Sequence, residues 1–317
     1  MFSIATLGNR HLDFQFTTRR GARARIVERP GLWMAEPDLA QLVEDLRSVV
    51  RASLPAGSLD YGVLTGDPER LRNAILTVIY APEDGRPVAF NALAILDCEL
   101  QGKPVEVIHL GLVMIDPSFR AQGVSGILYG LTCFLLYARR QMRTLWFSNV
   151  TQVPAVFGMV GEAFANVYPD PSRQARRSFE HLVLARQILA RHRHVFGTGP
   201  EAGFDERRFV ITDAYKGGSD NLKKSFAEAP KHRHDVFNET CRRELDYQRG
   251  DDFLQIGQFD LRAARDYFRR SLPTLSARAL LQQFAFLLAE SLLVPLVHWA
   301  TPSRQLGSLR PYSPSRR

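Results

Sequence analysis

Residues 107–126, VIHLGLVMIDPSFRAQGVSG, constrain this chain more than any other stretch. An apolar run stops at Asp116-Pro117. Arg120 and a short loop holding Gly123 follow, and an apolar helix is predicted over residues 127–140. A strand that turns through a small-residue loop into a helix presents unpaired backbone N–H groups and the positive end of the helix dipole. That arrangement suits a pyrophosphate.

The neighbouring segments give this unit a setting. Residues 74–81, 88–100 and 105–115 read as three strands separated by the short turns 82–87 and 101–104, which predicts an antiparallel meander. After the 127–140 helix come a buried strand over 144–150, a short helix over 154–163 and a strand over 164–168. The order β-β-β-α-β-α-β is a mixed α/β layer with one crossover helix. Upstream, residues 36–53 read as a helix, because Leu39, Leu42, Val43, Leu46, Val49 and Val50 recur at helical spacing. Pro37 suits its first turn, and short strands with basic turns precede it.

Downstream, helices are predicted over 179–191, 222–245, 261–271 and 276–299, and a strand over 207–215. The loop Lys216-Gly217-Gly218-Ser219-Asp220 reads as a boundary. The expected organisation is a first domain over 1–215, a helical region over 216–300 and a frayed Pro/Ser/Arg-rich tail over 301–317. The fold class is α/β (α+β): a mixed, mostly antiparallel sheet flanked by helices, with a helical C-terminal extension.

The chain has 317 residues, 45% hydrophobic and 23% charged, which fits a globular protein with a sizeable core. Its formal net charge of +8 suits an anionic partner such as a nucleotide-bearing molecule, an acidic carrier protein or an anionic membrane surface. Charge is the sole argument for nucleic acid, with no motif or aromatic stripe beside it. Cys98, Cys133 and Cys241 are widely spaced and form no thiolate zinc motif, which suits reduced thiols. The N-terminal stretch lacks the basic start and apolar run of a signal peptide, so the expected location is cytoplasmic, with the membrane surface as an alternative.

The pattern Val113, Ile115, Pro117 followed by Arg120 and Gly123 resembles the acyl-CoA motif of the GNAT superfamily of N-acyltransferases, over about residues 60–170. There a strand of roughly L-x-V-x-P leads to R-x-x-G-x-G/A at a helix start. The resemblance implies a fold of this kind and acetyl-CoA or a longer acyl-CoA as co-substrate. It implies pyrophosphate contacts from Arg120, Gln122, Gly123, Val124, Ser125 and Gly126, and pantetheine contacts along Val113 and Ile115. Gly123 removes a Cβ where the loop is tight, and Arg120 adds charge-assisted hydrogen bonds. Ser125 stands where the family prefers Gly or Ala. Asn149 sits where the family often uses an Asn near the pantetheine arm. Phe157 stands where many members carry a Tyr that protonates the leaving thiolate. Phe has no proton to give, so that proton must come from another group or from water.

His109 lies four residues before Val113. Strand alternation puts residues 109, 111, 113 and 115 on one face. In some relatives the general base, often a Glu, corresponds to this position. An imidazole with the ordinary pKa of about 6.5 suits proton removal near neutral pH, with Glu106 and Glu99 as fallbacks. Gly111 predicts a bulge that splays this strand from its neighbour, and a backbone N–H near Val113 would polarise the acyl carbonyl.

The pairs His192/His194 and His232/His234 have no carboxylate or cysteine at ligand spacing and read as solvated faces or helix ends, so no metal is expected. The apolar stretch 279–300 carries Gln282, Gln283, Glu290 and Pro295. It reads as a buried helix, with an interfacial anchor or an acyl-chain wall as alternatives. The leading functional expectation is acyl transfer from acyl-CoA to a primary amine. The alternatives are an acyl carrier protein as donor, or a catalytically degenerate fold that binds a ligand, a membrane or a partner.

Overall fold

The computed structural model describes residues 11–271, except positions 19, 55–58, 60–61, 120–123, 125, 141 and 174, and further on Leu296. The apolar stretch 279–300, apart from Leu296, and the basic tail lie outside the described residues.

The chain opens with an antiparallel pair, β1 (Asp13–Thr17) and β2 (Arg23–Glu28). Helix α1 (Glu36–Ser53) follows with Pro37 in its first turn and buries Leu42, Val43, Leu46, Val49 and Val50 on one face, as the spacing predicts. A short helix, α2 (Pro68–Arg72), is capped by the Asp67 side chain. The predicted meander is β3 (Ala74–Tyr80), β4 (Pro87–Leu100) and β5 (Lys103–Leu110), all antiparallel. All seven residues of β3 are buried, as expected of a strand covered on both faces.

The run predicted over 105–115 breaks at Gly111 and Leu112, and a separate strand, β6 (Val113–Ile115), continues beside β4. The predicted crossover helix starts as a π turn (Gly126–Leu131) and becomes α3 (Thr132–Arg139). Then come β7 (Leu145–Thr151), α4 (Pro154–Ala163), β8 (Ala165–Tyr168) and α5 (Phe179–Arg191). A Ser178–His181 capping box starts α5.

Beyond residue 200 the structure departs from the expected pattern. The strand predicted over 207–215 is shorter: β10 (Val210–Thr212) pairs with β9 (Gly203–Asp205). Phe209 and Asp213 take positive φ on either side of it and end the extended backbone. The helix predicted over 222–245 is only α6 (Asp235–Glu244), and turns precede it. Residues 252–259, not predicted as a strand, form β11 (Asp252–Phe259), before α7 (Leu261–Ser271). β11 lies between β7 and β10, so the sheet crosses the boundary predicted at residue 216.

Among the described residues the sheet order is β1-β2-β3-β4-β5-β7-β11-β10-β9, with β6 on β4 and β8 on β11. Every pair is antiparallel except β5 with β7. On one face, α1 packs Leu42 and Leu46 against Leu76, Phe90 and Ala92, and α5 packs Leu184 and Ile188 against Val107 and Leu254. On the other, Leu128, Leu131 and Leu135 cover Ile75, Leu93 and Phe147.

The three cysteines are free and buried, and burial pushes the Cys98 thiol up to about 11. Asp252, at the start of β11, is buried and accepts a hydrogen bond from the Tyr215 hydroxyl at 2.9 Å. Burial raises its pKa from 3.8 to about 7. The native state therefore holds this proton more tightly than the unfolded chain does. Stability from this group is lost as pH rises from about 4 through 7. We expect Asp252→Asn to stabilise the fold by about 1–3 kcal/mol at pH 8 and by much less at pH 5. Urea midpoints at the two pH values check this.

Candidate functional site

The site begins with the break in β5. Ala94 pairs with His109, whereas Asn91 pairs with Val113. Three steps on β4 thus match four on the opposing chain, a one-residue bulge at Gly111–Leu112. Glycine is needed there, because a Cβ on Gly111 would lie 2.2 Å from the Ala92 carbonyl oxygen. The Ala92 N–H in turn donates to the Leu112 carbonyl at 2.9 Å.

The bulge corrects one expectation from simple alternation. His109 projects to the α1/α5 face, while Val113 and Ile115 pack into the opposite core under α3. The extra residue flips the side chains that follow it. The bulge also sits where two strands part. β5 pairs with β7 from Val107–Trp146 to Leu110–Asn149 and no further. β7 then continues with β11, and β6 continues with β4.

Several predicted site residues can be located around this point. His109 is 2% exposed; its Nδ1 lies 3.0 Å from the Ser148 hydroxyl, and its ring rests against Phe196. Burial, with a smaller contribution from His192, lowers its pKa to about 3, so the imidazole is neutral at neutral pH. Glu106 projects from the other face, where Arg29 and Arg140 pair with it. Glu99 accepts through its carbonyl from Gln187. The Asn149 amide donates to Gln255 Oε1 at 3.2 Å, and Gln255 donates on to the Phe157 carbonyl. Phe157 is fully buried and stacks on Phe253 at 4.5 Å.

Of the loop residues, Val124 and Gly126 are described, whereas Arg120, Gln122, Gly123 and Ser125 lie outside the described residues. The approach to the loop is rigidly built. Asp116 accepts from the Ser118 N–H and hydroxyl and from Arg86. These bonds, Ser118 first, lower its pKa to about 2.

A cavity of about 430 Å³ opens on the α1/α5 face beside the bulge. Gly111, Leu112, Ala92 and Ala94 line its base, and Val63 and Val195 are among its apolar walls. Its charged and polar lining is Asp67, Glu69, Arg70, His192 and His194, with Asp67 paired to Arg70 and Glu69 to Arg72; Asp97 reaches it by its backbone, since its side chain shares the face of its register partner Glu106. His192 ends α5, and its Nε2 is 3.0 Å from the Asp97 carbonyl oxygen. A carbonyl can only accept, so Nε2 donates here, and Nδ1 is the ring nitrogen left for another partner. Sequence reading passed over this lining because it comes from α2, β4 and the end of α5, with no shared motif.

His232 and His234 both approach Glu162, which Arg233 also binds. Among the described residues no group of three or more His, Cys, Asp or Glu side chains could hold a metal ion. No helix among them is long and apolar enough to cross a membrane.

The described chain is thus a mixed α/β protein with a mostly antiparallel sheet, one parallel pair and a bulge where that pair parts. No protein-family profile matches it, and no curated protein matches it. Its fold is similar in part to several solved structures. A probable N-acyltransferase from Enterococcus faecalis aligns at TM-score 0.31 and 12% identity, over 55% of this chain and 45% of that one. The NatC complex bound to Gag peptide and CoA aligns at 0.29 and 12%, over 42% and 82%. The KacTA–DNA complex aligns at 0.23 and 15%, over 27% of this chain and 57% of that one. At these scores the functional reading rests on the chain's own topology and residues.

Proposed function

We propose that this chain is an N-acyltransferase that takes an acyl group from acyl-CoA and delivers it to a primary amine. The observation that carries this reading is the bulge at Gly111–Leu112, set where the single described parallel pair parts and followed by the Arg120–Gly126 crossover. A parted pair frees backbone groups along β6 to hold an extended pantetheine arm. A bulge N–H near Val113 is placed to polarise a thioester carbonyl. Arg120, Gln122, Gly123, Val124, Ser125 and Gly126, which come just before the N–H groups of Ile127 and Leu128 that donate to the Val124 carbonyl, suit the pyrophosphate.

The acceptor amine enters as an ammonium by the cavity on the α1/α5 face, past Asp67 and Glu69. One proton leaves the ammonium before attack. The freed amine nitrogen then attacks the carbonyl, the C–N bond forms, the C–S bond breaks, and the second nitrogen proton passes through water to the CoA thiolate. An imidazole held near pKa 3 is a poor acceptor for an alkylammonium proton, so we assign His109 to positioning through Ser148. His192, which lines the cavity and spends Nε2 on the Asp97 carbonyl, takes the first proton at Nδ1. Glu106, ion-paired on the other face, takes no part.

Calorimetry with acetyl-CoA and decanoyl-CoA tests donor binding and acyl length together. Micromolar binding of either is the expected result; binding of neither favours a carrier-protein donor or a non-catalytic role. Thiol release from acetyl-CoA with a panel of primary amines tests transfer. We expect His192→Ala to lower that rate by about 10²-fold, the usual contribution of a general base. His109→Ala should lower it less, by about tenfold. Its effect should be constant from pH 6 to 9, because the native imidazole does not titrate there. A pH-dependent loss in His109→Ala would return the base role to His109.

A further inference from the structure

We infer that Asn91, Thr132 and Tyr267 are positioning residues for the nucleotide end of acyl-CoA, because they hold open the widened turn that begins the crossover helix. The inference rests on the acyl-CoA reading above.

Residues 126–131 form a π turn, in which the backbone ladder runs i to i+5 and one extra residue is accommodated. A π turn is less favourable than an α turn and persists where something outside the helix supports it. Three of its carbonyls accept from side chains. Gly126 O accepts from the Tyr267 hydroxyl at 3.2 Å, Ile127 O from the Thr132 hydroxyl at 3.3 Å, and Leu128 O from the Asn91 amide. These donors come from α7, from α3 and from β4. Thr132 is itself 2.7 Å from the Thr77 hydroxyl on β3. Thr77 and Asn91 are register partners, and Asn91 is also the partner of Val113. A polar pair, Thr77 on β3 and Asn91 on β4, thus lies beneath the turn beside Val113 of β6.

Two observations set this apart from ordinary core packing. Thr77, Asn91 and Thr132 are fully buried, and Asn91 Oδ1 has no hydrogen-bond partner among the described residues. Burying an unpaired amide oxygen is unfavourable, so a leucine would serve the core better unless the Nδ2 donor is needed. Tyr267 also stands where a Cβ on Gly130 would lie 2.0 Å from its ring, so the turn and α7 are fitted to each other. Clamped from below and from the side, the turn keeps its register, with Ile127 and Leu128 N–H held on the Val124 carbonyl, and so keeps Val124 and Gly126 in place for a bound pyrophosphate.

The test uses the full-length chain and calorimetry with two probes: acetyl-CoA, and acetylpantetheine, which lacks the pyrophosphate. Asn91→Leu and Thr132→Val are each expected to weaken acetyl-CoA binding by about tenfold, the loss of one hydrogen bond's effect. Acetylpantetheine affinity should stay unchanged, and Thr132→Ser, which keeps the hydroxyl, should restore acetyl-CoA binding. Tyr267→Phe deletes only the outermost bond and supplies a milder variant should Asn91→Leu fail to fold; about threefold weakening is expected. Folded variants that bind acetyl-CoA like the wild type overturn this inference alone. Equal losses for both probes also overturn it, since they mean general damage. A wild-type chain that ignores both acetyl-CoA and decanoyl-CoA overturns the functional reading and this inference with it; where decanoyl-CoA alone binds, it and decanoylpantetheine are the two probes.

Discussion

Gly123→Glu should abolish acetyl-CoA binding, weakening it by more than about 100-fold while the chain stays folded. The substitution puts a side chain and a negative charge into the loop assigned to the pyrophosphate. Two like charges about 5 Å apart at an effective dielectric of 20 repel by about 3 kcal/mol, which is a factor of roughly 100 in affinity. Ser125→Ala is the matched control, because it moves the loop toward the small residues that the resemblance favours. Binding isotherms for the three chains decide the matter. A folded Gly123→Glu chain with wild-type affinity would remove the cradle from the argument.

Gly111→Val should give the largest loss of stability, with a fall in Tm of about 5–10 °C, from a strain of about 2–4 kcal/mol. The cause is local: the new Cβ would stand 2.2 Å from the backbone oxygen of Ala92, which no rotamer change relieves. The bulge would have to open or β4 would have to shift. Because Ala92 and Leu112 line the cavity, acyl transfer should fall with stability. Thermal unfolding followed by circular dichroism gives the shift. An unchanged Tm would mean that the bulge relaxes freely and that no glycine is required.

Much of the frame was legible because periodicity is a local property. The apolar spacing of 36–53 marks α1 to the residue, and the buried run 154–163 marks α4. Gly111 marked the bulge, but its consequence was not drawn: one inserted residue turns His109 away from Val113. The His109 pKa also depends on burial by groups distant in sequence and on His192. β11 was missed because its DFLQIGQF carries Gln255, Gly257 and Gln258 and does not alternate cleanly. Gln255 is buried because Asn149 and two backbone carbonyls satisfy it. The segment before α6 was read as helix through Pro230, which removes an N–H and stops an α-helical ladder. The cavity lining was illegible for a simpler reason: it exists only once α2, β4 and the end of α5 have come together.

The place of β11 bears on how the chain is made. A ribosome delivers residues 145–151 about a hundred residues before the partner that covers them, since Asn149 pairs with Gln255. Until then β7 presents one flank with its hydrogen-bonding groups unmatched, as any unprotected edge does. Contacts of such long sequence separation close slowly. The nascent protein therefore passes through a half-sheet with β7 at its open side. Among the described strands β11 is the last to arrive, and it closes that side and gives the Asn149 amide its acceptor in Gln255.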